Sequence, residues 1–111
     1  LSTIVSELSH QDSSFAEKTL KAMGRNSPLS MACALKIIDH LRDKSGDLEM
    51  ALRCEYRFTA RAMEFGDFLE GIRAAIIDKD RTPNWQHNMS SVPTADIEHM
   101  LSPLGAMELR L

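Results

Sequence analysis

Asp12 or Ser13, Ser27, Asp47, Asp67 and Thr94 each stand just ahead of a run whose apolar side chains recur at i, i+3, i+4 and i+7. A short polar side chain at that place accepts a hydrogen bond from one of the orphan amides in a helix's first turn, so each marks a helix start. No run of four or more residues alternates cleanly between apolar and polar, as a half-buried strand does. One Trp and one Tyr stand against many Ala, Leu, Met, Glu, Lys and Arg, a balance that favours helix outside the turns. The expectation is an all-α fold of about five helices.

Ile4, Val5 and Leu8 give one face to a short helix over 1–9. A second helix, opened by Asp12 or Ser13, presents Phe15, Ala16, Leu20 and Met23 and stops at Gly24, where positive φ is expected. In the turn Gly24-Arg25-Asn26-Ser27-Pro28, Ser27 caps and Pro28 takes the first helical position, where its missing N–H is no loss. The third helix spans 28–44, with Met31, Ala34, Leu35, Ile38 and Leu41 inward, and ends in Lys44-Ser45-Gly46. Asp47 opens the fourth and longest, with Leu48, Ala51, Leu52, Glu55, Tyr56, Thr59, Ala62 and Met63 on its pattern, interrupted at Gly66. Asp67 caps a fifth over 68–77 that presents Phe68, Ile72, Ala75 and Ile76. A charged loop follows from Asp78 and is pinned by Trp85; Thr94 caps a short helix through Leu101, and 103–111 is a terminal tail.

The chain has 111 residues, enough for a single core, so 1–111 is expected to be one helical domain. Its formal charge of -3 supplies no field to attract a nucleic-acid backbone or an anionic membrane, and no apolar stretch approaches the roughly 20 residues of a span. Cys33 and Cys54 form no CxxC pair and fall inside helices, which reads as reduced thiols packed as small apolar side chains. The chain opens at Leu1 without a signal or transit pattern, which suggests a piece of something longer.

Candidate chemistry is sparse. His10, His40, His87 and His99 have no second His or Cys at i+3 or i+4, so no metal site is expected. There is no Gly-x-Ser-x-Gly turn and no Gly-Gly pair to aim amides at an oxyanion. Glu55 and Glu70 border apolar faces, where burial would raise a carboxyl's pKa; ion pairing with Arg53, Arg57, Arg61 or Arg73 is the favoured role. Arg73, Lys79 and Arg81 cluster after the fifth helix, a pattern suited to phosphate and partly neutralised by Asp78 and Asp80.

Three segments carry a resemblance: Asn26-Ser27-Pro28-Leu29-Ser30, Glu55-Tyr56-Arg57, and the unbroken run from Asp67 to Trp85, which includes Glu70-Gly71-Ile72-Arg73-Ala74 and Ile77-Asp78-Lys79-Asp80 ahead of Pro83-Asn84-Trp85. They resemble the C-terminal part of the 3-hydroxyisobutyryl-CoA hydrolases of the crotonase, or enoyl-CoA hydratase/isomerase, superfamily. The likeness is strongest over 12–85 and looser in the tail from Leu104-Gly105. Glu-Gly-x-x-Ala is common to the superfamily, whereas Ile-Asp-Lys-Asp before Pro-x-Trp marks the hydrolase branch.

The resemblance implies a longer parent enzyme whose ββα spiral core carries the oxyanion hole and the catalytic acids, none of which has a counterpart here. It implies thioester cleavage of 3-hydroxyisobutyryl-CoA in valine breakdown, with coenzyme A as part of the substrate and no covalently bound cofactor. The helical region would cover the core, close part of the acyl-CoA site and take part in subunit contacts, and would be silent alone. Lys79 falls where related hydratases place a lysine near the adenine and phosphate end of CoA, and Arg81 is a weaker candidate for the same contact. Ile76 stands where those hydratases carry an aromatic side chain, so stacking on adenine is not implied. Trp85 is expected to be a hydrophobic anchor. Bacterial cytoplasm or the mitochondrial matrix would suit such an enzyme.

Two alternatives stay open: the C-terminal region of an enoyl-CoA hydratase or isomerase, and an autonomous helical interaction module using its Met-rich faces. Helices shaped to lie on a larger core leave apolar surface exposed when cut free, so homo-oligomers are expected, with a helix swapped across the Gly24 or Gly66 turn.

Overall fold

The computed structural model describes residues 1–44 and 46–111; Ser45, in the expected Lys44-Ser45-Gly46 helix end, lies outside them. Among the described residues there is no strand, and the α-helices are α1 (Ser2–Ser9), α2 (Ser14–Met23), α3 (Pro28–Leu41), α4 (Leu48–Ala62), α5 (Phe68–Ile72) and α6 (Thr94–Leu101). A π-helical turn, Arg73–Ile77, extends α5, and a 3-10 turn, Gly105–Met107, lies near the C-terminus.

Side-chain caps explain the starts of α2, α3 and α4. Ser13 Oγ accepts from Ala16 N at 3.1 Å, Ser27 Oγ from Ser30 N at 3.2 Å and Asp47 Oδ1 from Met50 N at 2.9 Å. Pro28 is the first residue of α3, and Gly46 takes φ 85° in the turn before α4, a backbone that L side chains rarely adopt. Three details differ from expectation. Gly24 has φ -61°, because α2 closes in the right-handed region. Pro93 precedes α6 without a side-chain cap, and Thr94 is already helical. Asp67 stands at the start of α5 but spends its carboxylate on distant partners instead of the α5 amides.

α1 and α2 pack as a hairpin, while α3, α4 and α6 pack on one another. Leu29, Cys33 and Met100 are the centre of the core, ringed by Phe58, Val92, Ile97 and Leu101. Burial pushes the Cys33 thiol up to about 11, and Cys54 is also a buried free thiol.

This packing turns several helices away from the faces expected for them. α3 buries Leu29, Ala32 and Cys33 and leaves Ala34 and Ile38 exposed, Ile38 at 62 %. α4 buries Cys54 and turns Leu48 and Tyr56 outward, with Met63 exposed just past its end; α2 buries Ala16 and exposes Phe15. A helix that is apolar on more than one side does not specify its own orientation, and here α6 selects the seam. α3 also ends at Leu41 rather than 44.

The expected loose tail is tied down along α4. Arg61 Nη1 donates to Ser102 O at 2.6 Å, Arg57 Nε to Glu108 Oε1 at 2.8 Å and Arg53 Nη1 to Leu109 O at 2.7 Å. The Leu104 N–H and the Arg57 guanidinium hold the Glu108 carboxyl below the usual carboxylate range. At the far end of α4, a Cβ on Gly66 would stand 2.8 Å from Ala62 O, so the chain can double back there only without a side chain.

The molecule is open. Its accessible surface is 7708 Å², where roughly 6200 Å² is usual for a folded monomer of this mass. Its radius of gyration is 15.5 Å against about 13 Å for a compact chain of this length.

Candidate functional site

Past Ile72 the α5 backbone widens. Asp78 N donates to Arg73 O at 2.8 Å, five residues back, and Arg81 N then reaches Ala74 O at 3.0 Å. Such π turns recur at functional sites because they spend regular geometry on re-aiming a segment. Lys79 and Arg81 follow with φ of 54° and 55°, the only positive values at non-glycine positions among the described residues. Long side chains in the left-handed region are uncommon and persist only where surrounding contacts hold them.

Those contacts converge on Arg73. Its Nε and Nη2 donate to Glu70 Oε2 and Oε1 at 2.9 and 2.7 Å, a bidentate pair. Nη1 donates to Asp78 Oδ2 and to Asp80 Oδ2, each at 2.7 Å, and Nη2 to Thr82 O at 3.3 Å. Glu70 Oε1 also accepts from Asn84 N at 2.7 Å, and Asp80 Oδ1 from Thr82 N at 2.9 Å. The Arg73 hydrogen bonds, with the Asn84 amide, lower the Glu70 carboxyl to about 2; Arg73 and the Thr82 amide hold Asp80 below its usual range. The three carboxylates in turn raise the Arg73 guanidinium further above its already high value.

The loop closes onto α5 through Trp85, whose ring edge lies over Gly71; a Cβ added there would sit 3.5 Å from Trp85 Cη2. Between this loop and the turn after α2 runs an open groove of about 750 Å³, bordered by Arg25, Ala74, Arg81, Thr82 and Trp85.

Lys79 and Arg81 are thus exposed on one short, constrained segment, and Arg81 reaches the groove beside Arg25. Arg73, grouped with them in the sequence, is committed to the carboxylates instead. Glu70 is ion-paired as expected, and Glu55 stands exposed on α4 beside a smaller groove with Cys33 and Phe58. Trp85 is the expected anchor. The histidines serve local contacts: His10 Nδ1 to Ser6 O at 2.6 Å, His87 Nε2 to Asp96 Oδ2 at 2.9 Å, and His99 edge-on to Phe65. Among the described residues no three His, Cys, Asp or Glu side chains gather as a metal would require, and no helix is long and apolar enough to cross a membrane.

Sequence reasoning misses Arg25. It sits in a turn far from Arg81 in sequence, and no local pattern announces that the two border one groove. Chemically, exposed cations on a braced segment suit an anionic group such as a phosphate.

Comparison with known proteins adds three findings. The family model described as "Enoyl-CoA hydratase/isomerase" matches residues 1–101. The mitochondrial 3-hydroxyisobutyryl-CoA hydrolase of Mus musculus is 35% identical over 108 residues, 96% of this chain and 28% of that protein, and that of Homo sapiens is 33% identical with the same coverage. A crystal structure described as an enoyl-CoA hydratase from Rhodobacter sphaeroides 2.4.1 superimposes with a TM-score of 0.91 at 44% identity, covering 96% of this chain and 32% of that one. The chain therefore spans less than a third of the length of these relatives.

Proposed function

Because the chain belongs to the enoyl-CoA hydratase/isomerase family, we propose that it is the C-terminal helical part of an acyl-CoA thioester hydrolase similar to 3-hydroxyisobutyryl-CoA hydrolase. Its helices cover the catalytic core of that enzyme, bring Lys79 and Arg81 to the phosphate end of the CoA substrate and contribute to contacts between subunits.

The observation that carries the covering role is the mismatch between a small core and a large apolar surface. Few side chains are fully buried, while Phe15, Ile38, Leu48, Phe68, Ile76 and Ile77 stand more than half exposed. Apolar surface on this scale on a soluble chain marks a face that another surface covers. The rest of a protein some three times longer is the occupant favoured by the share of its relatives' length that this chain fills. The same exposed faces supply homo-oligomer contacts. The curated relatives' names support the hydrolase branch and a mitochondrial matrix, while the bacterial source of the similar crystal structure suits a cytoplasm; a hydrolase of this branch would act in valine breakdown. Hydrolysis needs coenzyme A only as part of the substrate, and the core supplies the acids and oxyanion donors, so this chain alone is silent.

A second reading, enoyl-CoA hydratase, is favoured by the 44% identity to the crystal structure described as such an enzyme. Purified full-length protein assayed with 3-hydroxyisobutyryl-CoA and with crotonyl-CoA separates them. Release of free CoA from the first is expected; hydration of the second without that release moves the chain to the hydratases. Thioester cleavage by residues 1–111 alone would overturn the covering role. A native product of this length that stays monomeric would return it to the interaction-module alternative.

A further inference from the structure

The contacts around Arg73 alternate along the chain. Asp78, Asp80 and Thr82 are gripped by its guanidinium; Lys79 and Arg81, which lie between them, are not. Those two skipped residues are the ones with left-handed backbone. All five guanidinium N–H groups are engaged, two by Glu70 and one each by Asp78, Asp80 and Thr82 O. Arg73 therefore has no donor left for a ligand, although it is the cation nearest the fifth helix.

We propose that Arg73 is the positioning residue of the phosphate-binding segment: by drawing 78, 80 and 82 inward it turns Lys79 and Arg81 outward as a spaced pair of cations. This inference rests on the reading of Lys79 and Arg81 as contacts to the phosphates of CoA. Geometry and charge act together. Glu70, Arg73, Asp78, Lys79, Asp80 and Arg81 sum to zero as they stand, so removing Arg73 leaves a net negative segment facing an anion. Lysine cannot replace it, because a point charge with three donors cannot hold a bidentate carboxylate and two further carboxylates at once. Asp80 adds a second restraint, since its other oxygen accepts from Thr82 N and closes the turn around Arg81.

The test uses full-length protein and two substrates with the same acyl group, the CoA thioester and the pantetheine thioester that lacks the phosphoadenosine end. Arg73→Lys and Arg73→Gln are expected to raise KM for the CoA substrate about tenfold, the loss of one charge-assisted contact, with little change in kcat or in KM for the pantetheine substrate. Asp80→Asn is a gentler variant that keeps a side chain at the turn and removes a negative charge. Positioning requires KM for the CoA substrate to rise with it, whereas charge alone would lower it. If the Arg73 variants do not fold, Asp80→Asn decides.

A fall or no change in that KM with Asp80→Asn, or a rise shared by both substrates, overturns the positioning role. The underlying reading fails separately, if Lys79→Ala combined with Arg81→Ala leaves KM for the CoA substrate unchanged. If that double variant raises KM while the Arg73 and Asp80 variants do not, Lys79 and Arg81 bind without Arg73 and only the inference falls.

Discussion

Ser27 Oγ donates to Asp67 Oδ2 at 2.5 Å, joining the start of α3 to the start of α5 across forty residues of sequence. Both side chains are buried, and neither is spent on this bond alone. Ser27 Oγ also accepts from Ser30 N, and Asp67 Oδ1 accepts from Gln86 N at 3.1 Å, so one small network fixes α3, α5 and the end of the charged loop. Asp67→Ala leaves the Ser27 hydroxyl and the Gln86 amide without their acceptor, at about 2–3 kcal/mol. Urea midpoints of the full-length protein should fall accordingly, less for Asp67→Asn, with faster hydrogen exchange at the Gln86 amide.

Gly66 and Gly71 are only five residues apart and should respond to alanine in opposite senses. At Gly66 the added Cβ meets the Ala62 carbonyl at 2.8 Å, and backbone cannot retreat, so Gly66→Ala should cost about 1–3 kcal/mol. At Gly71 the nearest atom is Trp85 Cη2 at an ordinary contact distance, and α5 gains a better helix former worth up to about 1 kcal/mol. Thermal melts of the two variants would show it; equal losses would refute the packing described for Trp85.

Lys79→Gly separates the backbone of the cationic segment from its side chain. Glycine relieves about 1 kcal/mol of left-handed strain and loses a similar amount through the freer unfolded chain, so the melting temperature should barely move. KM for the CoA substrate should nevertheless rise, because the ammonium is gone. A variant that melts early would mean the Lys79 side chain helps hold the fold.

Acid should loosen the Arg73 cluster. The Glu70 carboxyl is lowered from 4.5 to about 2 in the folded protein, and Asp80 is lowered as well, so the folded state binds these protons more weakly than the unfolded chain. Their contribution is fully present above about pH 4.5 and is lost as the pH falls toward 2. Wild type should lose stability relative to Glu70→Gln across that window and keep a constant difference above it, measured by urea unfolding at stepped pH.

What could be read along the chain was whatever depends on neighbours within a few residues. Ser13, Ser27 and Asp47 cap where expected because a cap needs only the amides two or three positions on. Lys79 and Arg81 stood out as a charge run inside a recognisable motif. Trp85 could be read as an anchor because it is the single Trp, placed at the end of a polar loop.

Which way the helices face depended on partners far off in sequence. α3 carries apolar residues on more than one side, so its period could not choose between Ile38 and Cys33; Met100, arriving on α6, chose Cys33. Arg73 looked like a third phosphate ligand until the loop folded back and engaged every donor it has. The tail looked free until Arg53, Arg57 and Arg61 on α4 met it. Helix formation is decided by hydrogen bonds four residues apart, and so is written locally; burial and ion pairing are decided by whichever groups the fold brings together, and here those lie tens of residues apart.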